Sequence, residues 1–247
     1  MVQHTIQNTD NRTQGRLALV TGASGGIGSS VAHALAAEGC DVALHYSSSQ
    51  GKAEALAQEL RAKYPSQLFV PFQADLSSRE STRNLVPSIF ASSEVTQKHK
   101  AISILVANAG LGRRIRDPAD IGEDDWDEMM EVNARSQFVV TKACLPGMRA
   151  QGWGRVVLVG SIASRGGGIN GCHYAATKGA LCSMGLNLAT LLAPEGVTVN
   201  ILSSEGTTQL ILQQVLPAMI GATGMIATPK STQVLLIVPF LSPNLGN

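Results

Sequence analysis

Six short runs rich in β-branched and other apolar residues alternate along this 247-residue chain with longer segments of helical period, and that alternation leaves few folds open. The runs are LALV at 17–20, DVALHY at 41–46, LFVPF at 68–72, ISILVA at 102–107, RVVLVG at 155–160 and VTVNIL at 197–202. Strands separated by helix-length segments do not pair as hairpins; they pair in parallel, with crossover helices covering both faces of the sheet. The helical stripes agree. Ile27, Val31 and Leu35 recur every fourth residue after the first run, and Ala53, Leu56, Ala57 and Leu60 form a second stripe after the next. The expected fold is α/β, a doubly wound parallel sheet with helices on both faces.

Composition sets the domain count and the partners. With 44% hydrophobic and 15% charged residues the chain can bury one sizeable core, so residues 16–247 are expected to form one domain. Lys plus Arg number 19 and Asp plus Glu 18, so no broad field is available to hold nucleic acid or an anionic membrane. Small molecules or other protein chains are the expected partners. No apolar run reaches about 18 residues, so no membrane span is expected. Residues 1–15, MVQHTIQNTDNRTQG, are polar and resemble neither a secretory signal nor a transit peptide; a flexible extension and a cytoplasmic location are expected. Cys40, Cys144, Cys172 and Cys182 are spread without a CxxC pair and no His cluster has metal spacing, so reduced packing cysteines and no metal site are expected.

The first run leads directly into TGASGGIG at 21–28 and then into the first helical stripe. Glycines at Gly22, Gly26 and Gly28 let the backbone turn tightly and approach a pyrophosphate, while a helix opening there offers unpaired N–H groups and its positive dipole end. Such a triplet also serves as a plain strand-to-helix turn. Its place after the first strand of an alternating α/β chain favours dinucleotide binding and a Rossmann-type domain.

TGASGGIG, with ANAG at 107–110 and YAATK at 174–178, resembles the short-chain dehydrogenase/reductase family, and most closely its branch of β-ketoacyl-acyl-carrier-protein reductases and fungal polyketide reductases. The likeness covers residues 16–203 in order and spacing. It implies a nicotinamide cofactor held at the turn by Gly22, Ser24, Gly25, Gly26, Ile27 and Gly28. It further implies Asp75 and Leu76 beside the adenine, Asn108, Ala109 and Gly110 on the floor of the site, and Tyr174 and Lys178 at the nicotinamide ribose. A carboxylate at the end of the second strand would bind the ribose 2′-hydroxyl and repel a 2′-phosphate. HYSSSQGK at 45–52 has no acid there; Tyr46, Ser47, Ser48 and Ser49 can donate to a phosphate and Lys52 adds charge, so NADP is expected over NAD. Serines also simply suit a loop, and many NADP-using relatives carry a basic residue where Gly25 stands.

Tyr174 and Lys178 are four apart in a helical segment and so share a face. A free tyrosine has a pKa near 10, and an adjacent ammonium favours the phenolate, so Lys178 can tune Tyr174 as an acid or base. A solvated lysine beside an exposed tyrosine is the plainer reading of the pair alone. Ser161, at the end of the fifth strand, can hydrogen-bond a substrate carbonyl and stabilise charge growing on its oxygen. The resemblance makes Ser161 the catalytic serine, ahead of Ser164, and makes Asn133 the asparagine that holds a water in the proton relay. The implied reaction is hydride transfer to a ketone, giving a secondary alcohol.

Other polar features are read more plainly. Cys172 and His173 are expected to pack in a loop rather than line the pocket. GLGRRIRD at 110–117 sets Arg113, Arg114 and Arg116 at the rim of the site, where they suit either an anionic carrier-bound or thioester substrate or a solvated loop. GEDDWDEMM at 122–130 puts acids in a first helical turn, with Trp126 and Met130 spaced to pack in the core.

The family pattern breaks after Ser203. Residues 204–216 read as an insertion, because PAMIGATGMI from Pro217 resembles the expected continuation of VTVNILS. The family's last helix and seventh strand, with a TGxxxxVDGG-like run, have no counterpart near IVPFLSPNLGN. Without that strand the sixth would have an unpaired edge, and the homo-oligomers usual in the family would lose a surface. Two further readings follow: a nucleotide-binding chain impaired in catalysis, and an epimerase or dehydratase of the extended relatives. The glycine spacing and the lack of a substrate domain argue against the latter.

Overall fold

The computed structural model describes residues 12–165, 170–203 and the two-residue strand at 234–235. Seven strands form one sheet in the order β3-β2-β1-β4-β5-β6-β7. The first six are β1 (Leu17–Val20), β2 (Asp41–Tyr46), β3 (Phe69–Gln73), β4 (Ile104–Ala107), β5 (Gly154–Val159) and β6 (Val197–Leu202). These six run parallel, as the spacing of the apolar runs requires. The run LFVPF is displaced by one residue: β3 is Phe69–Gln73, and it tolerates Pro71 because it is the outer strand of the sheet.

The helices α1 (Gly26–Ala37), α2 (Gln50–Lys63), α3 (Arg79–Ala91), α4 (Ser93–Lys98), α5 (Glu123–Met130), α6 (Ser136–Ala150) and α7 (Cys172–Leu192) cover the two faces. Alternation along each strand divides the core into two clusters. Ala18 and Val20 join Leu35, Leu56 and Leu60 on one face; Leu17 and Leu19 join Leu85, Ile89 and Met148 on the other. The stripe Ala53, Leu56, Ala57 and Leu60 is buried as its spacing predicts.

Four local expectations change. Trp126 is 40% exposed, and Met129 is the buried residue of α5, because the helix turns Met129 rather than Trp126 toward the core. Residues 12–15 are anchored rather than loose: Thr13 Oγ1 donates to Glu38 O and Gly15 N to Gly39 O, which docks this segment on the end of α1. Asn133 lies in a π-helical turn, Glu131–Arg135, that joins α5 to α6, not in a regular helix. The edge of β6 is partly covered: β7 (Val234–Leu235) pairs with it antiparallel, Leu235 opposite Ile201 and Val234 opposite Leu202. The reading of 204–216 as an insertion and that of the final segment lie outside the described residues.

Candidate active site

Chain order and sheet order diverge between β1 and β4, and a crevice opens at the carboxyl ends of these strands. The glycine turn follows β1 into this crevice. Gly22 has φ +66, and a Cβ there would lie 3.1 Å from Ala109 Cα, so only glycine fits both the conformation and the approach. A Cβ at Gly28 would overlap the carbonyl oxygen of Gly22. Helix and turn therefore meet at backbone contact. Gly25 caps α1 with no side-chain bond, and the first turn of α1 holds no acid, which leaves its N–H groups to face an anion. Ser24 and Ile27 are half-buried in the turn, and Gly25 and Gly26 are exposed.

Thr21 joins this turn to the end of β4. Its Oγ1 accepts from the N–H groups of Asn108 (2.9 Å) and Ala109 (3.0 Å), and Asn108 Nδ2 donates back to Thr21 O at 2.9 Å. Asn108, Ala109 and Gly110 are thus fixed as a floor under the turn. Beyond the carboxyl end of β3, Asp75 is exposed with its carboxylate accepting from Ser77 N and Oγ, while Leu76 is buried in the core. Ser47, Ser48 and Lys52 are exposed at the end of β2 and the start of α2, but Tyr46 is only 8% exposed, so the serines and the lysine present the polar surface there.

A cleft of about 270 Å³ brings Ser161, Tyr174 and Lys178 together with Ile27, Asn108 and Gly110. Ser161 follows β5, and its Oγ accepts from Ala163 N at 3.2 Å, leaving the hydroxyl proton available. Tyr174 and Lys178 sit one turn apart on α7. Lys178 Nζ donates to Val159 O at 2.8 Å and stands 5.7 Å from the centre of the Tyr174 ring. Burial pushes the Lys178 ammonium down to about 8.

Asn133 does not line the cleft. Its side chain is fully buried, accepts from Leu111 N at 2.7 Å, and donates to Leu111 O at 2.9 Å and towards Thr177 Oγ1 at 3.3 Å. The amide pegs the loop at Leu111 to α7, and the π turn places it there. His173 is fully buried beside Gly171, away from the cleft lining, and Cys172 is exposed. Arg113 is engaged by Asp125 and Glu128 of α5, whereas Arg114 and Arg116 are exposed on the rim. Among the described residues no group of three His, Cys, Asp or Glu is placed to hold a metal ion, and no helix is long and apolar enough to cross a membrane.

Sequence reasoning passed over Thr21, Thr177 and His45. His45 was read only as one residue of the strand run DVALHY and of the stretch HYSSSQGK, although a histidine inside an otherwise apolar strand is itself a signal.

A doubly wound sheet with a glycine turn over a bare helix N-terminus, opening on a Ser-Tyr-Lys cleft, is the frame of a dinucleotide-dependent oxidoreductase. The chain belongs to the short chain dehydrogenase family, whose model matches residues 16–216. It is 32% identical over 188 residues to the 3-oxoacyl-acyl-carrier-protein reductase FabG of Staphylococcus aureus, covering 74% of this chain and 71% of that one. With the corresponding reductase of Aquifex aeolicus it is 34% identical over 191 residues, 76% and 73% of the two chains. Among solved structures it is similar to a short chain dehydrogenase from Burkholderia cenocepacia in complex with NADP, with a TM-score of 0.72, 30% identity and 85% and 92% of the chains covered.

Proposed function

We propose that this chain is a cytoplasmic NADPH-dependent reductase that converts a ketone to a secondary alcohol, with 3-oxoacyl thioesters or polyketide-type ketones as its substrate class. The observation that carries this reading is the convergence of Ser161, Tyr174 and Lys178 on one cleft beside the glycine turn. The relatives support the substrate class: two are named as 3-oxoacyl reductases, and LugOII, 28% identical with a TM-score of 0.76 over 85% and 91% of the chains, is described as catalysing a keto-reduction. Ser47, Ser48 and Lys52 suit the 2′-phosphate that distinguishes NADP.

The bound cofactor supplies the hydride. Ser161 donates its hydroxyl proton in a hydrogen bond to the substrate carbonyl and so favours charge on that oxygen. Tyr174 then transfers its phenolic proton to the oxygen as the carbon is reduced. The Lys178 ammonium, held by Val159 O, lies beside the tyrosine and favours the phenolate that remains. Asn133 keeps Leu111 and its loop in place at the mouth of the cleft.

Thermal unfolding with NADPH or NADH tests the cofactor first. NADPH at about 100 times its dissociation constant adds roughly 2.7 kcal/mol to the folded state. A shift with NADPH, followed by reduction of a 3-oxoacyl thioester or ketone that is lost in Tyr174→Phe, is the expected result. Unchanged turnover in Tyr174→Phe, or binding with no turnover of any ketone, overturns the proposal, the latter leaving a nucleotide-binding protein.

A further inference from the structure

His45 lies near the carboxyl end of β2, the strand between β1 and β3, and is only 1% exposed. Its ring reaches sideways to both neighbouring strand ends. Nδ1 lies 2.9 Å from Gly22 N, which donates to it, and Nε2 lies 3.0 Å from Ala74 O. These two bonds require one tautomer: a bare Nδ1 that accepts and an Nε2–H that donates. The backbone repeats the stitching, with Ala23 N donating to His45 O and Ala74 N to Tyr46 O. The two segments so joined are the glycine turn and the stretch leading into Asp75, which the family resemblance assigns to the pyrophosphate and to the adenine of the cofactor.

We propose that His45 is a positioning residue of the dinucleotide site: through one neutral imidazole it holds the glycine turn by Nδ1 and the adenine-side loop by Nε2, setting the distance between the pyrophosphate and adenosine subsites. The inference rests on the reading that this chain binds NADPH. An imidazole suits the place because its two nitrogens project from opposite edges of one rigid ring, so each can address a different neighbouring backbone. Burial pushes the imidazole down to about 4, which keeps it neutral at ordinary pH. A neutral ring leaves the positive end of α1 uncontested for phosphate while adding no charge of its own.

Two substitutions divide the roles. His45→Asn places an amide oxygen near the Nδ1 position and retains the acceptor for Gly22 but does not reach Ala74. His45→Gln extends an amide toward Ala74 and gives up the acceptor for Gly22. Isothermal titration of the full chain with NADPH, and separately with adenosine 2′-monophosphate, which lacks the pyrophosphate, reads each subsite.

The expected result for His45→Gln is NADPH binding weakened about ten- to a hundredfold with adenosine 2′-monophosphate binding unchanged. For His45→Asn both ligands weaken. In each variant KM for NADPH rises far more than kcat falls. Variants that lower melting temperature alone, with both affinities at wild-type values, overturn the inference and leave His45 a packing residue. Imidazole 15N spectra of the unsubstituted protein keep it testable should a variant not fold: an Nδ1–H tautomer at His45, or a ring unmoved by NADPH, overturns it as well. Wild-type chain that binds no NADPH overturns the proposed function first, and that outcome is distinct from variants that bind like wild type.

Discussion

Two buried charged groups at opposite ends of the sheet are treated in opposite ways. Asp41 opens β2 at its amino end, its side chain fully buried, with His99 Nε2 at 2.6 Å, Lys98 Nζ at 2.8 Å and Leu68 N donating at 2.6 Å. Burial alone would raise its carboxyl pKa, but the bonds from His99, Lys98 and Leu68 outweigh it and hold the group below the ordinary 3.8. Lys178, at the carboxyl ends, is equally hidden yet has one carbonyl partner, and burial drives it down to about 8. The amino end completes the partners of its charge and gains stability from it. The carboxyl end leaves a charge short of partners, at a cost in stability, in the cleft where the proposed proton transfer would take place.

The largest effect expected from this contrast is on rate. Lys178→Met lowers kcat/KM for ketone reduction by about a hundred- to ten-thousandfold. Its stability at pH 7, measured by urea unfolding, stays within about 1 kcal/mol of wild type, because relief from burying the ammonium offsets the bond lost by Val159. The pH dependence sharpens the point. The folded value of about 8 lies below the ordinary 10.5, so the burial penalty is full below pH 8 and is relieved as pH rises from there toward 10.5. Wild type therefore gains stability relative to Lys178→Met across that window, and in wild type kcat/KM falls as pH rises through about 8. A flat stability difference would break the comparison.

Asp41→Ala is the converse. It costs about 3 kcal/mol, since Lys98, His99 and Leu68 N–H lose their shared acceptor, and it leaves KM for NADPH unchanged. Asp41 contributes its full stability above pH 3.8 and loses it as pH falls through its lower folded value. The difference between wild type and Asp41→Ala therefore narrows below pH 4. A loss of cofactor affinity in Asp41→Ala would show that the two ends are coupled.

The strands were legible because each is a bounded apolar run, and the cleft because Tyr174 and Lys178 share a helix face while Ser161 closely follows a strand. What stayed hidden depends on lateral placement. His45 meets Gly22 and Ala74 only once β1, β2 and β3 lie side by side, and Asp41 meets His99 only once the end of α4 lies against the start of β2; periodicity along a single strand carries neither placement. The peg formed by Asn133 depends on a π turn that no residue pattern in EVNARS announces. Trp126 and Met130 were read as core residues and Met129 was missed because a hydrophobic stripe marks a face of a helix, while the residue that reaches the core is set by how that helix lies on its neighbours.

The rim arginines carry the smallest expected effect, and they test whether the partner-poor design of the carboxyl end extends to substrate. Arg113 is engaged by Asp125 and Glu128, so its charge is already answered within the chain. Arg114 and Arg116 are exposed beside it, and among the described residues neither has an ion-pair partner. If the substrate is an anionic carrier or coenzyme thioester, Arg114→Gln and Arg116→Gln each raise KM a few-fold at low salt, an effect that shrinks as ionic strength shortens the Debye length from about 10 Å at 0.1 M. Arg113→Gln, its charge already compensated, leaves KM for the same thioester unchanged. With a small neutral ketone all three behave as wild type. Equal effects from all three arginines, or effects that persist in high salt, would mean that the loop acts through its shape and not its charge, and a neutral ketone would then be the better substrate model.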